Sequence, residues 1–469
     1  MTITLTLNPD RTYQTIEGIG ASLAWSGDPV GETWSDASKT RLADLLFCQK
    51  TGAGLSGIRF NIGAGAAWVE QNPSDPWRHP ACFKRSADSP FNPDCHAGQQ
   101  WFLRAAEERG AHHRTAFANS PPIWLTRNGR ATQDKAHPTD TTNLKPGAEA
   151  NFAAFLADVA EHFTHMGLPF TGISPVNEPQ WDWEEGSQEG CRFSNDEIAA
   201  VAKALRAELD RRGLHCELDL TEAADLRFLI DDDFLEKPYI HGNEGRGLGK
   251  NREQLKDLAP LCEGKICGHG YWTYDPLAQS QRLREAVRAT VDRHLPGGRF
   301  HQSEVCIMEP GRDLGIDTAL RIARMMHQDF VHANASGWFW WLALSPYDYK
   351  DGLIYLEANE GILPAKNLWA VGNYARFLRP GWQRIEVTPS EPVEGLYISA
   401  WRNPETSHYA LVVVNTTTEE HTLHLPELDS LTAYTTDADR DLEQSETLLI
   451  EAPLIAAPRS VTTWVPTIC

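Results

Sequence analysis

The chain lacks any apolar stretch long enough to cross a bilayer, for which about twenty residues are needed. It lacks a polybasic run, so nothing offers an electrostatic anchor to an anionic membrane surface. Basic residues are in deficit: 43 Lys and Arg stand against 64 Asp and Glu, a formal net charge of −21. A field of that sign repels phosphate backbones and argues against nucleic acid as a partner. The nine Cys are scattered without a CxxC pair, and no Cys/His cluster has zinc spacing. A reducing compartment is the simplest reading of such thiols, although Cys82 and Cys95 could close a loop in a secreted protein. Residues 1–18 have no charged leader region followed by an apolar one. As it stands this start implies a cytoplasmic protein; a secreted chain trimmed of its leader would look the same. No low-complexity linker and no solenoid repeat is present.

What the chain does have is length, aromatic residues and alternation. Its 469 residues suffice for one large barrel and a smaller domain. Hydrophobic residues make up 41%, enough for a sizeable core. Sixteen Trp are unusual. Their bulk assigns most of them to the core, but an exposed indole face also stacks on a sugar ring.

Eight β-rich runs recur: Ile16–Ser22, Gly57–Gly63, Arg114–Ser120, Phe170–Asn177, Glu217–Glu222, Lys265–Tyr271, Phe300–Val305 and Gly337–Leu344. Amphipathic helical runs lie between them. Ala148–His165 carries Phe152, Phe155, Leu156, Val159 and Phe163 at helical spacing. Asp196–Gly213 starts after the cap-like Ser194-Asn195 and stops at glycine; Gln281–His294 and Gly315–Ala333 are similar. The alternation predicts an α/β fold, a (β/α)8 TIM barrel over residues 16–378. After about Phe377 the segments Gly395–Trp401, His408–Thr416 and Glu420–Leu425 alternate apolar and polar positions between turns. Residues 379–469 therefore read as a small antiparallel β-sandwich side domain, joined by the N-terminal strand within residues 1–15.

Working residues of such barrels sit at the C-terminal ends of strands. The fourth run ends in Ser174-Pro175-Val176-Asn177-Glu178-Pro179. Pro179 blocks the ladder and favours an extended Glu178, which projects a carboxylate above the mouth. The seventh ends in Phe300-His301-Gln302-Ser303-Glu304-Val305, a Glu emerging from an apolar strand. Singly, each is weak: Glu178 also reads as a cap or turn acid, Glu304 as a structural carboxylate. As a pair they are strong, because strands four and seven face each other across a barrel of eight. Cleaving a glycosidic bond takes two carboxylates flanking it, one protonated and one ionised. A separation of about 5–5.5 Å would serve retention through a covalent glycosyl-enzyme. That chemistry requires neither cofactor nor metal, and the partner it implies is a carbohydrate.

These motifs resemble glycoside hydrolase family 30. Further segments carry the resemblance: Ile16-Glu17-Gly18-Ile19-Gly20-Ala21-Ser22, Gly57-Ile58-Arg59-Phe60-Asn61-Ile62-Gly63, Asn119-Ser120-Pro121-Pro122-Ile123-Trp124, His269-Gly270-Tyr271 and Gly337-Trp338-Phe339-Trp340-Trp341. Ala457-Pro458-Arg459-Ser460-Val461-Thr462-Thr463 looks like the last strand of that family's side domain. The resemblance implies Glu178 as acid/base and Glu304 as nucleophile of a double displacement. It implies that Asn177 bonds the sugar 2-hydroxyl, that Tyr271 aims Glu304 and that Arg59 sits beneath it. Trp124 and Trp341 would line the sugar subsite, and His269 joins the substrate-binding set. Other readings stay open: a structural ion pair for Arg59, core packing for Trp341, a buried hydrogen-bonded histidine for His269.

Two loops look like those of the family's endo-β-1,6-galactanases: Gly186-Ser187-Gln188-Glu189-Gly190-Cys191, with Glu189 as a substrate contact, and Ser345-Pro346-Tyr347-Asp348-Tyr349-Lys350-Asp351-Gly352-Leu353. Glu184 and Glu185 read as solvated, Glu222 as a supporting or substrate-contacting acid, and Glu309 as a turn residue. The rivals are an exo-acting β-glucosidase, β-xylosidase or β-fucosidase of the same family, and a non-catalytic carbohydrate-binding protein. A metal-dependent hydrolase would need clustered His or Asp at strand ends.

Overall fold

The structure is a computed structural model that describes residues 2–69, 76–133, 141–183, 188–231, 253–426, 430–445 and 452–466. After a first strand β1 (Thr2–Thr15), parallel strands β2 (Gly18–Ser22), β3 (Gly57–Ile62), β4 (His113–Ala118), β5 (Gly172–Ser174), β6 (Glu217–Leu218), β7 (Thr221–Ala223), β8 (Lys265–His269), β9 (Arg299–Val305) and β10 (Ala335–Trp340) form one sheet. Its order is β6-β5-β4-β3-β2-β10-β9-β8-β7. The two ends belong to one run of chain: Glu217 pairs with Gly172 of β5, and Thr221 with Cys267 of β8. The run closes the cylinder, so the nine strands fill eight barrel positions.

Helices α1 (Gly27–Thr33), α2 (Asp36–Phe47), α3 (Ala97–Glu108), α4 (Glu149–His165), α5 (Asn195–Arg212), α6 (Gln254–Leu258), α7 (Leu277–His294), α8 (Ile316–Val331) and α9 (Lys366–Ala375) follow the strands. They cover the outer face of the sheet, which is why β3, β4 and β10 are buried along their whole length. Gly20 shows how tightly the staves approach. A Cβ there would lie 2.3 Å from the carbonyl oxygen of Gly57.

The structure departs from the expected strand runs in three places, each at the catalytic face. The fourth run keeps its ladder only over Gly172–Ser174. The fifth breaks after Leu218, where Thr221 and Glu222 take φ of 72° and 39°. The eighth ends at Trp340; β11 (Leu342–Ser345) leaves the barrel and pairs with β12 (Gly352–Glu357), which pairs with β13 (Gly361–Pro364). That excursion carries the loop 346–351 over the barrel mouth.

The remaining strands are β14 (Gln383–Pro389), β15 (Leu396–Arg402), β16 (Tyr409–Asn415), β17 (His421–His424), β18 (Leu431–Thr436), β19 (Glu443–Gln444), β20 (Leu454–Ala456) and β21 (Ser460–Pro466). With β1 they form a second sheet ordered β19-β18-β21-β16-β15-β14-β1-β17-β20. β1 pairs antiparallel with β14 over Leu5–Thr15 but parallel with β17 over Thr2–Thr4. The side sheet is therefore mixed rather than purely antiparallel. It encloses a core of its own, including Ile3, Leu5, Leu411, Val413, Leu423 and Trp464. No helix among the described residues is long and apolar enough to cross a membrane. Cys82 and Cys95 are both buried free thiols.

Candidate active site

Glu178 leaves the end of β5, Glu222 comes from the kinked β7, His269 ends β8 and Glu304 sits near the end of β9. All four side chains converge over the barrel axis and are buried. The nearest ligand atoms of Glu178, His269 and Glu304 lie within 4.8 Å of one another. His269 Nδ1 is 2.8 Å from Glu178 Oε1, and its Nε2 is 2.7 Å from Glu222 Oε2. Arg59, projecting inward from β3, ion-pairs with Glu304 and lies 3.3 Å from Glu222 Oε2. It also donates to Asn177 Oδ1 at 3.1 Å, and its guanidinium stacks on Phe117 at 3.9 Å. Tyr271 donates its hydroxyl to Glu304 Oε1 at 2.7 Å, and Ser303 donates to Glu222 Oε2 at 2.6 Å.

The electrostatics separate the three carboxylates. Burial would raise Glu222, but Arg59 and the His269 hydrogen bond outweigh it and hold it down at about 2. Burial would lower His269, yet Glu304, Glu178 and Glu222 together push it up to about 10, so it is a cation donating to both neighbours. Glu178 goes the other way: burial raises it, the negative Glu304 adds to the rise, and His269 opposes. Three carboxylates with two cations leave one negative charge too many in a buried site. A proton on Glu178 removes it.

The cluster offers a possible set of metal ligands in Glu178, His269 and Glu304. Both His269 nitrogens and both Glu304 oxygens are already engaged, and two cations already neutralise the acids. A metal ion would have to displace those partners.

Above the cluster opens a cleft of about 1060 Å³. Glu178, Glu304 and Tyr271 line it, and Trp25, Trp181, Trp183, Trp272 and Trp341 supply aromatic wall. Trp25 and Trp341 meet edge to face, ring centroids 5.0 Å apart. Gln188 and Tyr347, Asp348, Tyr349 and Asp351 reach the cleft from the two loops singled out in the sequence. Glu184, Glu185, Gly186 and Ser187 lie outside the described residues.

Several expectations need correction. Glu178 is not extended: its φ is 45°, and its N–H donates to the Glu222 carbonyl at 3.0 Å, so the fold overrides the bias set by Pro179. Trp124 does not line the cleft; it packs edge-on against Phe155 of α4. Glu189 is turned inward at 1% exposure, accepting from the backbone N–H groups of Ala64 and Ala66. It braces a loop and presents no face to the cleft. His269, Arg59 and Asn177 lie beneath the cleft floor among the carboxylates and are not in its lining. Glu309 needs no such correction: it lies outside helix and strand, as a turn residue would, and is held in ion pairs with Arg321 and Lys350. Trp25, Trp181, Trp183 and Trp272 went unrecognised, because a Trp in a loop carries no periodicity to show where it faces.

Paired buried carboxylates at the mouth of a (β/α)8 barrel, under an aromatic-walled cleft, define a glycoside hydrolase. The chain belongs to O-glycosyl hydrolase family 30, whose profile matches residues 2–355. It is 30% identical over 238 residues to an endo-beta-1,6-galactanase of Hypocrea rufa. That match covers 45% of this chain and 47% of the relative, so it spans about half the relative's length. Its fold is similar to that of a conserved exported protein from Bacteroides fragilis, at 26% identity and a TM-score of 0.85, covering 99% and 100% of the two chains. It is also similar in fold to the catalytic domain of GH30 xylanase C from Talaromyces cellulolyticus, at 20% identity and a TM-score of 0.73, with 99% and 100% covered.

Proposed function

We propose that the protein is a retaining, endo-acting β-glycosidase whose substrate is β-1,6-linked galactan or its oligosaccharides. The observation that carries the mechanism is the pair Glu178 and Glu304, with oxygens within 4.8 Å across the cleft floor. That spacing suits a nucleophile in direct contact with the sugar; inverting enzymes keep their carboxyl groups about 6.5–9.5 Å apart to admit a water. Glu304, aimed by Tyr271 and Arg59, attacks the anomeric carbon. Glu178, protonated by its burial, gives that proton to the leaving oxygen. Glu178, now a carboxylate, then takes a proton from water, whose oxygen displaces Glu304 and frees the sugar with its configuration retained.

The likeness to the Hypocrea rufa enzyme supports the galactan assignment. So do the two loops that bring Gln188 and Tyr347, Asp348, Tyr349 and Asp351 to the cleft, where hydroxyl-reading groups would select the sugar. A cleft of about 1060 Å³ is larger than one sugar needs, which favours endo action. The test is to digest linear β-1,6-galactan, size the products and read the first anomer by NMR. We expect oligosaccharides with the β anomer formed first. Galactose as the sole early product would replace endo with exo action, and the α anomer would overturn retention. Glu304→Gln should abolish turnover while sugar binding remains; near-normal activity in that variant would remove Glu304 as nucleophile.

A further inference from the structure

A further carboxylate lines the cleft. Asp351 reaches it, 6% exposed, from the loop that β11 and β12 carry over the barrel mouth. The other acids of the lining have their tasks or partners. Glu178 and Glu304 serve the bond to be cut. Asp182 is ion-paired to Arg192 at 2.6 Å, and Asp348 is exposed and accepts from the Arg312 N–H at 2.9 Å.

Asp351 is fixed at two points. Its carbonyl accepts from Trp340 Nε1 at 2.6 Å, and its Oδ1 accepts from Ser345 Oγ at 2.7 Å. Oδ2 accepts from no other residue among those described, and it is not sealed from the cleft. Burial pushes the carboxyl up to about 6, although Ser345, its own N–H, Arg78 and Arg312 pull it down. A carboxylate so placed is short of donors, and a bound hydroxyl supplies one.

The strand that carries Asp351 lies on the nucleophile's side. Trp341 donates its N–H to the carbonyl of Val305, the residue after Glu304, at 2.8 Å. Asp351 and Glu304 both act, with burial, to hold the Cys306 thiol protonated. The acid's side is built from other residues: Trp183 Nε1 donates to the Glu178 carbonyl at 3.0 Å. The sugar that Glu304 attacks is the one it holds, while the leaving unit departs with the proton from Glu178.

We propose that Asp351 is a specificity-determining residue, whose Oδ2 accepts a hydroxyl hydrogen of the glycone, the unit that Glu304 attacks. This rests on the retaining-glycosidase reading and not on which linkage is cut. The carboxylate selects a sugar with a hydroxyl at that point. It rejects one that is deoxygenated, methylated or acylated there, because Oδ2 would be left unmet.

The test is a double-mutant cycle on the full chain. Wild type, Asp351→Asn and Asp351→Ala are assayed on an aryl β-1,6-galactobioside. They are also assayed on analogues in which C2, C3 or C4 of the unit bonded to the aryl group carries hydrogen in place of hydroxyl. Both variants should lower kcat/KM on the parent about ten- to hundredfold. One analogue should suffer a similar loss in wild type and no further loss in either variant. Asp351→Asn keeps the shape and the Ser345 contact, so it serves if Asp351→Ala unfolds; its melting temperature should match wild type. Ser345→Ala removes the brace and leaves the acceptor, so coupling to the same hydroxyl should remain. Variants equal to wild type, or losses that add for every analogue, overturn the proposal. The galactan reading fails separately: wild type would cleave the aryl β-gentiobioside or β-xylobioside and spare the galactobioside. The same cycle is then run on the sugar it cleaves. No turnover of any of the three overturns the retaining-glycosidase reading, and the proposal with it.

Discussion

Glu178 and Glu304 are the same side chain in two surroundings, and the difference is their chemistry. Both are buried, but Glu304 has a guanidinium and a tyrosine hydroxyl on it, while Glu178 has one imidazolium. Glu178→Ala should cost a factor on the order of 10²–10⁴ on substrates with poor leaving groups, the usual value of a general acid. It should cost far less on aryl β-glycosides whose leaving groups need no proton; equal losses in a steady-state comparison of the two would contradict an acid role. The pH dependence follows from His269. Its cation opposes the rise in Glu178, and in the proposed mechanism Glu178 must be protonated to work, so activity should fall as pH climbs past Glu178. Replacing it by the neutral side chain of His269→Asn lets Glu178 rise further. The alkaline limb of kcat/KM should therefore move to higher pH, and a shift to lower pH would reverse the assigned sign. The legible residues were those at strand ends: a Glu after an apolar run announces itself at the barrel mouth. Glu189 and Trp124 sit in loops, where sequence spacing says nothing about direction. One turned inward to cap two backbone N–H groups, and the other packed on a helix.

Elements carry the next level of constraint, and their glycines and caps are where it can be measured. Gly20→Ala would drive a methyl group into the Gly57 carbonyl of the neighbouring stave. Backbone cannot yield there without opening the β2–β3 ladder, so the variant should lose about 1–3 kcal/mol or more in denaturant unfolding. Wild-type stability would mean the staves can spread. At α5, Ser194 accepts from the N–H of Glu197, while the Glu197 side chain accepts from the N–H of Ser194. Ser194→Ala should cost about 1 kcal/mol by the same measurement, with activity unchanged. Helices α4, α5, α7 and α8 were legible from apolar spacing and stop signals, and so were most barrel strands from their alternation with helical runs. What the sequence could not show was where strands break. The kink at Thr221 and Glu222 is backbone strain of the kind stored at functional sites. Its local sequence, Leu-Thr-Glu-Ala, reads as an ordinary strand. Yet the break is what turns Glu222 under His269.

At the scale of the whole molecule the two sheets cannot be treated as separate stable bodies. β16 was expected to alternate apolar and polar residues, but Ala410–Val414 is apolar throughout. The structure gives the reason. Ala410, Val412 and Val414 belong to the barrel's core, while Leu411 and Val413 belong to the side sheet's own core. The neighbouring β15 does the same, with Trp401 facing the barrel and Ala400 facing away. Trp401 meets Phe330 of α8 edge to face at 5.5 Å. Asn373 of α9 adds hydrogen bonds to the Tyr434 carbonyl and to Thr463 Oγ1. Detaching the side sheet would therefore expose barrel core as well as its own. Calorimetry should show one cooperative transition, with loss of glycosidase activity coinciding with loss of side-sheet structure. Trp401→Ala should destabilise that single transition by about 3–5 kcal/mol, the cost of emptying a buried tryptophan site. Two resolved transitions in the wild-type chain, the first leaving activity intact, would show that the barrel holds its own core without the sheet. The shared residues of β15 and β16 argue that it does not, because Trp401, Ala410, Val412 and Val414 pack into the same core as the barrel's helices.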